Sequence, residues 1–210
     1  MASLTDLALG LVTIYLLLRL PRDRDASRYW QAMFLWASVT ALIGAVYHGV
    51  LVGIPGTNGV TWAVMSSMVV VVMSFLLAAS VLEILGRGRA AVFWPLRLIG
   101  LIAYAVFALT GHASINAIMW CESLTMASVI GLWAWAAVRR HPLGRPMLVA
   151  IGVSIAAAMF RLVPGAAALI GLDPDSAYHL GQIVGVLLLF RAVAGSLRGP
   201  RAAVQPVRAG

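Results

Sequence analysis

The sequence predicts an all-α polytopic membrane protein: a seven-transmembrane-helix bundle with its N-terminus outside and its C-terminus cytoplasmic. Three observations predict it. Of 210 residues, 62% are hydrophobic and 10% charged, with a mean hydropathy of +0.96. A soluble chain is nearer half apolar and a quarter charged, so a water-soluble fold and intrinsic disorder are both excluded. The apolar residues fall into seven runs, each near the length of about 20 residues that a span needs. Finally, the arginines fall on alternate connections.

The runs cover residues 3–20, 30–54, 60–85, 91–111, 114–138, 146–171 and 176–196. The first carries Asp6 near its start and Arg19 near its end. That is the reverse of a signal peptide, whose positive charge precedes its apolar stretch. PRDRDASRY separates the first two runs, PGTNG the next, then GRGR, GHAS, RRHPLGR and LDPD. Connections this short make successive helices antiparallel neighbours. Residues 1–196 form the transmembrane domain, and residues 197–210, basic and rich in Gly and Pro, a disordered cytoplasmic tail. Fourteen of the fifteen basic residues flank the first, third and fifth connections or lie at or beyond the C-terminal end of the last run, and PGTNG, GHAS and LDPD carry none. By the positive-inside rule this sets the orientation.

Composition also removes function classes. The chain has no Lys, so neither a retinal Schiff base nor a P-loop lysine is available. Its single cysteine, Cys121, excludes an internal disulfide and a Cys-pair zinc site. The net charge of +8 is accounted for by topology, and no nucleic-acid module is present. A Lys-free chain rich in Ala, Gly, Val and Arg points to a GC-rich bacterial genome, and so to the bacterial cytoplasmic (inner) membrane.

The polar residues inside the runs carry the functional expectations. His48 lies late in the second run and His179 early in the seventh, both in the outer leaflet. Asp175 stands four residues before His179, so the two share a helix face. His48, Asp175 and His179 are the candidate metal ligands; the plainer readings are an N-cap for Asp175 and interface residues for the histidines. Tyr47, His112, Tyr178 and Gln182 are candidates for the wall of the same cavity. Glu122 and Arg161 sit deeper, roughly 12–15 Å from the outer surface by helical rise. Opposite charges at one depth on consecutive helices predict an intramembrane ion pair, either fixing helix register or serving function. Glu122 is also the candidate catalytic base. The Gly49-x-x-x-Gly53 and Gly181-x-x-x-Gly185 segments predict close approach of the second and seventh spans.

A seven-span chain with His48 late in span two and a His-bearing start to span seven resembles the alkaline ceramidase and adiponectin-receptor superfamily of seven-helix membrane hydrolases. That family carries a zinc-binding His late in span two, a Ser one turn before it, and HxxxH early in span seven. Here Asp175-x-x-x-His179 stands at the HxxxH position and Gly44 at the Ser position. The YHG and YHxxQ segments also resemble uncharacterised bacterial membrane proteins. The resemblance implies zinc as cofactor and hydrolysis of a lipid amide or ester, with membrane lipids as surroundings and a lipid-like substrate. Two other readings stand beside it: a small transporter or proton-conducting protein, and a non-catalytic membrane subunit or sensor.

Overall fold

In lipid every backbone N–H and C=O must be satisfied within the protein, so the apolar runs become helices. The computed structural model describes residues 1–21, 25–163 and 165–198, and among these there is no strand. The residues that carry Arg22, Arg24, Arg201 and Arg208, and the tail from 199, lie outside the described residues.

Helix α1 spans Ala2–Arg19 and stops where Leu20 turns extended ahead of Pro21, since a residue before proline is pushed out of the helical region. Its buried face is Asp6, Gly10, Thr13 and Leu16, a spacing that lines one side of a helix. Helix α2 spans Asp25–Gly49 and α3 Asn58–Leu85. Gly86, at φ +72°, ends α3 in a conformation that costs other residues a Cβ clash. Arg87–Ala90 (α4) is one turn, followed by a 3-10 turn at Ala91–Phe93 and by α5, Trp94–Leu109. Helix α6, Ile115–Val138, is capped by Ser114, whose hydroxyl accepts from the Ala117 N–H at 3.1 Å. Helix α7 spans Gly144–Leu162 and α8 Pro174–Arg198.

Three runs end differently from expectation. The second stops as an α-helix at Gly49 and tightens into a 3-10 turn at Leu51–Gly53, short of residue 54. The sixth stops at Leu162, before the Pro-Gly pair whose Gly165 sits at φ +80°, and ends in a 3-10 turn at Ala167–Ile170. The fourth gives α5, an apolar helix of only 16 residues, about 24 Å long against a hydrocarbon core of about 30 Å. Among the described residues six helices, α1, α2, α3, α6, α7 and α8, are long and apolar enough to cross a membrane.

Those six close a ring in the order α1–α2–α3–α6–α7–α8, and α5 packs outside it against α3 and α6. The main apolar core fills one half of the ring. It joins Leu16 and Leu20 at the end of α1, Trp30 and Phe34 early in α2, Leu77 and Val81 late in α3, and Trp133 late in α6. Met147 early in α7 and Val193 late in α8 complete it. In lipid such a core is held by close contact more than by expulsion of water. Trp133 Nε1 donates to Ser80 Oγ at 3.0 Å within it. His141, in the α6–α7 turn, stands 6.1 Å from the Trp133 ring, and burial pushes its pKa down.

Candidate functional site

The other half of the ring is polar, and its centre is a residue that the spacing argument did not select. Asp6, one turn into α1, is 4% exposed. Its Oδ1 lies 3.1 Å from His179 Nε2 and its Oδ2 3.8 Å from His48 Nε2. The two imidazole rings stand 6.2 Å apart, centroid to centroid. The first contact is hydrogen-bonding distance; the second is electrostatic.

Small residues make this approach possible. A Cβ on Gly44 would lie 2.8 Å from Asp6 Oδ2, so the empty side of Gly44 on α2 is the space the carboxyl occupies. Ser3 Oγ donates to the Ala45 carbonyl at 2.8 Å, and Gly49 faces Ser3. Gly181 and Gly185 face Ala157 and Ser154 of α7. The expected direct glycine contact between the second and seventh spans is therefore corrected. Helix α1 lies between α2 and α8, so Gly49 meets α1 while Gly181 and Gly185 meet α7, and Gly53 has no neighbour within 4 Å, because the ring closes through α1. His48 and His179 meet through Asp6.

Thr5 Oγ1 lies 2.9 Å from the Ala2 carbonyl and 3.1 Å from His179 Nδ1. A hydroxyl has one hydrogen and two acceptor sites, so Thr5 can complement either tautomer of the ring. The Nε2–Oδ1 contact needs one hydrogen between its atoms, held by the ring or by Asp6.

The remaining predicted residues fall as follows. Arg161, in the last turn of α7, pairs through Nε with Asp175 Oδ1 at 2.9 Å and lies over the Tyr178 ring at 5.3 Å. The expected Glu122–Arg161 pair is therefore corrected. Asp175 is nearer to Arg161 and partly exposed, so it takes the guanidinium at lower desolvation cost. Glu122 faces Gly100 of α5 instead. Helix α6 is not among the neighbours of α1 or α8 in the ring, so Glu122 stands apart from the histidines and the expectation that it serves as their catalytic base is corrected too. Tyr47 and Tyr178 lie beside His48 and His179, at 5.0 and 5.2 Å between ring centroids. Gln182 Nε2 donates to the Ser154 carbonyl at 3.0 Å and so ties α8 to α7. His112 is exposed and bonds locally to Thr110.

Asp173, not Asp175, caps α8. Its Oδ1 accepts from the Ser176 N–H at 2.9 Å and its Oδ2 from the Ser176 hydroxyl at 2.6 Å. These bonds hold its pKa below the usual carboxylate range. With Asp175 turned to Arg161, the set His48, Asp175 and His179 does not fit a zinc ion, which needs its donors about 2.0–2.2 Å from one point. Among the described residues no group of three or more His, Cys, Asp and Glu side chains could hold a metal ion. One sequence signal could have found Asp6: an acidic residue on the small-residue stripe Asp6, Gly10, Thr13 of an otherwise apolar helix.

The profile of a family of unknown function (DUF6962) matches residues 1–198, and the chain belongs to that family. No curated protein and no solved structure matches it.

Proposed function

We propose that this is a seven-span protein of a bacterial inner membrane, N-terminus outside, whose Asp6, His48 and His179 form an acid–base centre in the outer leaflet that hydrolyses a lipid amide or ester. The arginine distribution supports the orientation. The helical turn and 3-10 turn leading into α5 supply the length that α5 alone lacks for a seventh span.

The observation that carries the reaction is the buried Asp6 carboxyl between two imidazoles at different distances, 3.1 Å from His179 and 3.8 Å from His48. In this reading one proton is shared across the 3.1 Å contact of His179 with Asp6, and His179 acts as general acid. His48, 3.8 Å from the carboxyl and more exposed, accepts a proton from water. The water oxygen bonds to the substrate carbonyl carbon, and its proton goes to His48. The carbon–nitrogen or carbon–oxygen bond then breaks, and the leaving group takes the proton held by His179. General acid–base groups of this kind contribute about 10²–10⁴-fold. The apolar core beneath the centre favours chemistry at one face over conduction across the membrane.

The test is turnover of ceramide-like amides and lipid esters by protein in nanodiscs, followed by mass spectrometry. Activity in the wild type that drops in His179→Gln is the expected result. Stoichiometric zinc in the purified protein, lost in His48→Ala, would replace this reading with a metal-assisted one. A second reading, a small proton-conducting protein, is favoured by another buried carboxyl in the same half, Glu122. Proton flux in proteoliposomes without any hydrolysis would select it.

A further inference from the structure

The cleft between α3, α5 and α6 holds polar groups that the centre at Asp6 does not use. Glu122 of α6 is 4% exposed and its Oε2 has no hydrogen-bond partner. Tyr104 of α5 is 1% exposed and its hydroxyl is likewise without a partner. Gly100 of α5 closes over the carboxyl: a Cβ there would lie 3.0 Å from Glu122 Oε1 and 3.5 Å from Thr125 Oγ1. Buried Ser66 of α3 faces the Tyr104 side chain, buried Thr125 faces the Glu122 carboxyl, and Cys121 precedes Glu122 on α6.

No cation faces this carboxyl among the described residues. Arg161 of α7 is committed to Asp175. Arg97 of α5 donates to Ser74 at 2.8 Å and stacks on Trp94. His112 bonds to Thr110 in the exposed α5–α6 connection. The titratable groups near Glu122 are Tyr104 and Cys121, both neutral in their ordinary state. An isolated carboxylate in such surroundings would cost far more than the fold can supply, and a group so placed neutralises instead. A divalent cation is a poor occupant, since it takes about six or more oxygens, usually with more than one carboxylate, and this cleft has one.

We propose that the α3–α5–α6 cleft is a second proton-binding site, in which Glu122 is held at neutral pH as a carboxylic acid, independently of Asp6. The proton is the counter-charge that the chain does not provide. The neutral acid supplies one O–H donor in a cleft that also holds the unpartnered Tyr104 hydroxyl.

Infrared spectroscopy of the full chain in nanodiscs tests this. At neutral pH the wild type should show a protonated-carboxyl C=O stretch that shifts in D2O, disappears in Glu122→Gln and persists in Asp6→Asn. Glu122→Gln, whose amide replaces a neutral acid of the same shape, should keep the thermal unfolding midpoint of the wild type. Absence of the band in Asp6→Asn at neutral pH would overturn the proposal, and that arm does not depend on Glu122→Gln folding. So would loss of the band on adding sodium chloride at constant pH, which would assign the cleft to a cation. A large fall in the midpoint of Glu122→Gln would also overturn it, because it would show that a charge had been removed.

Discussion

Asp6 and Glu122 are buried to the same degree and lie in the same half of the bundle, yet their surroundings are opposite. Asp6 sits between two imidazoles on different helices, and the Thr5 hydroxyl meets the far nitrogen of one of them. Glu122 faces a glycine and has no basic partner. Burial by itself therefore says little about what a membrane carboxyl does. The groups facing it decide whether its proton is exchanged with a neighbouring base or simply kept. A comparison of the two sites by substitution should separate them.

The largest effect is expected at the centre. If Asp6 and His179 share the acid proton, Asp6→Asn and His179→Gln should each lower turnover by about 100-fold or more, while Glu122→Gln leaves it unchanged. Rates measured in nanodiscs decide this, and equal losses at Asp6 and Glu122 would merge the two sites into one. Next come the glycines that face each carboxyl. Gly44→Ala brings a methyl to 2.8 Å from Asp6 Oδ2, on a carboxyl whose other oxygen is tied to His179, and should destabilise by about 1–3 kcal/mol. Gly100→Ala meets Glu122 Oε1 at 3.0 Å, on a carboxyl with no basic partner to hold it, and should cost less; thermal unfolding in detergent gives both values, and the reverse order would contradict the difference drawn between the two carboxyls.

Smaller effects concern the helix that carries His179. Asp173→Ala removes the α8 cap and should cost about 1 kcal/mol. The folded pKa of Asp173 is depressed, so the cap contributes stability above the ordinary carboxyl range and loses it as pH falls through the lowered value. A wild-type unfolding curve that flattens toward Asp173→Ala in acid is the expected signature; a constant gap between the two would refute the cap's titration. The smallest change is expected for Asp175→Asn, at most about 1 kcal/mol, because both partners of the Arg161 pair are partly exposed. A larger loss would show that Arg161 depends on Asp175 to stay buried.

The sequence placed His48 and His179 in one polar half, and the structure brings their rings within 6.2 Å. It did not identify their partner. Asp175 was chosen because it lies four residues from His179, and local spacing cannot show that Arg161, from another helix, faces it. Asp6 was read only as a charge at the start of the first span. Its role depends on Gly44, 38 positions away, where a missing side chain leaves room for a carboxyl. Glu122 and Arg161 share a depth, but depth carries no rotational information, and the two side chains face different helices.

What the sequence determined alone was the class of solvent and the helical content, because both follow from composition and from the length of each apolar run. Helix ends were legible where Pro or Gly imposes a backbone conformation, as at Leu20–Pro21 and Gly86. The tertiary structure decided that six helices close a ring through contact of α1 with α8, and that α5 is left outside it. It also decided which carboxyl meets which base. Those choices belong to the rotation of each helix about its axis and to the order of neighbours. In lipid, where every apolar face is equally at ease, they are set by close packing of small residues, a property of pairs of helices that no single helix contains.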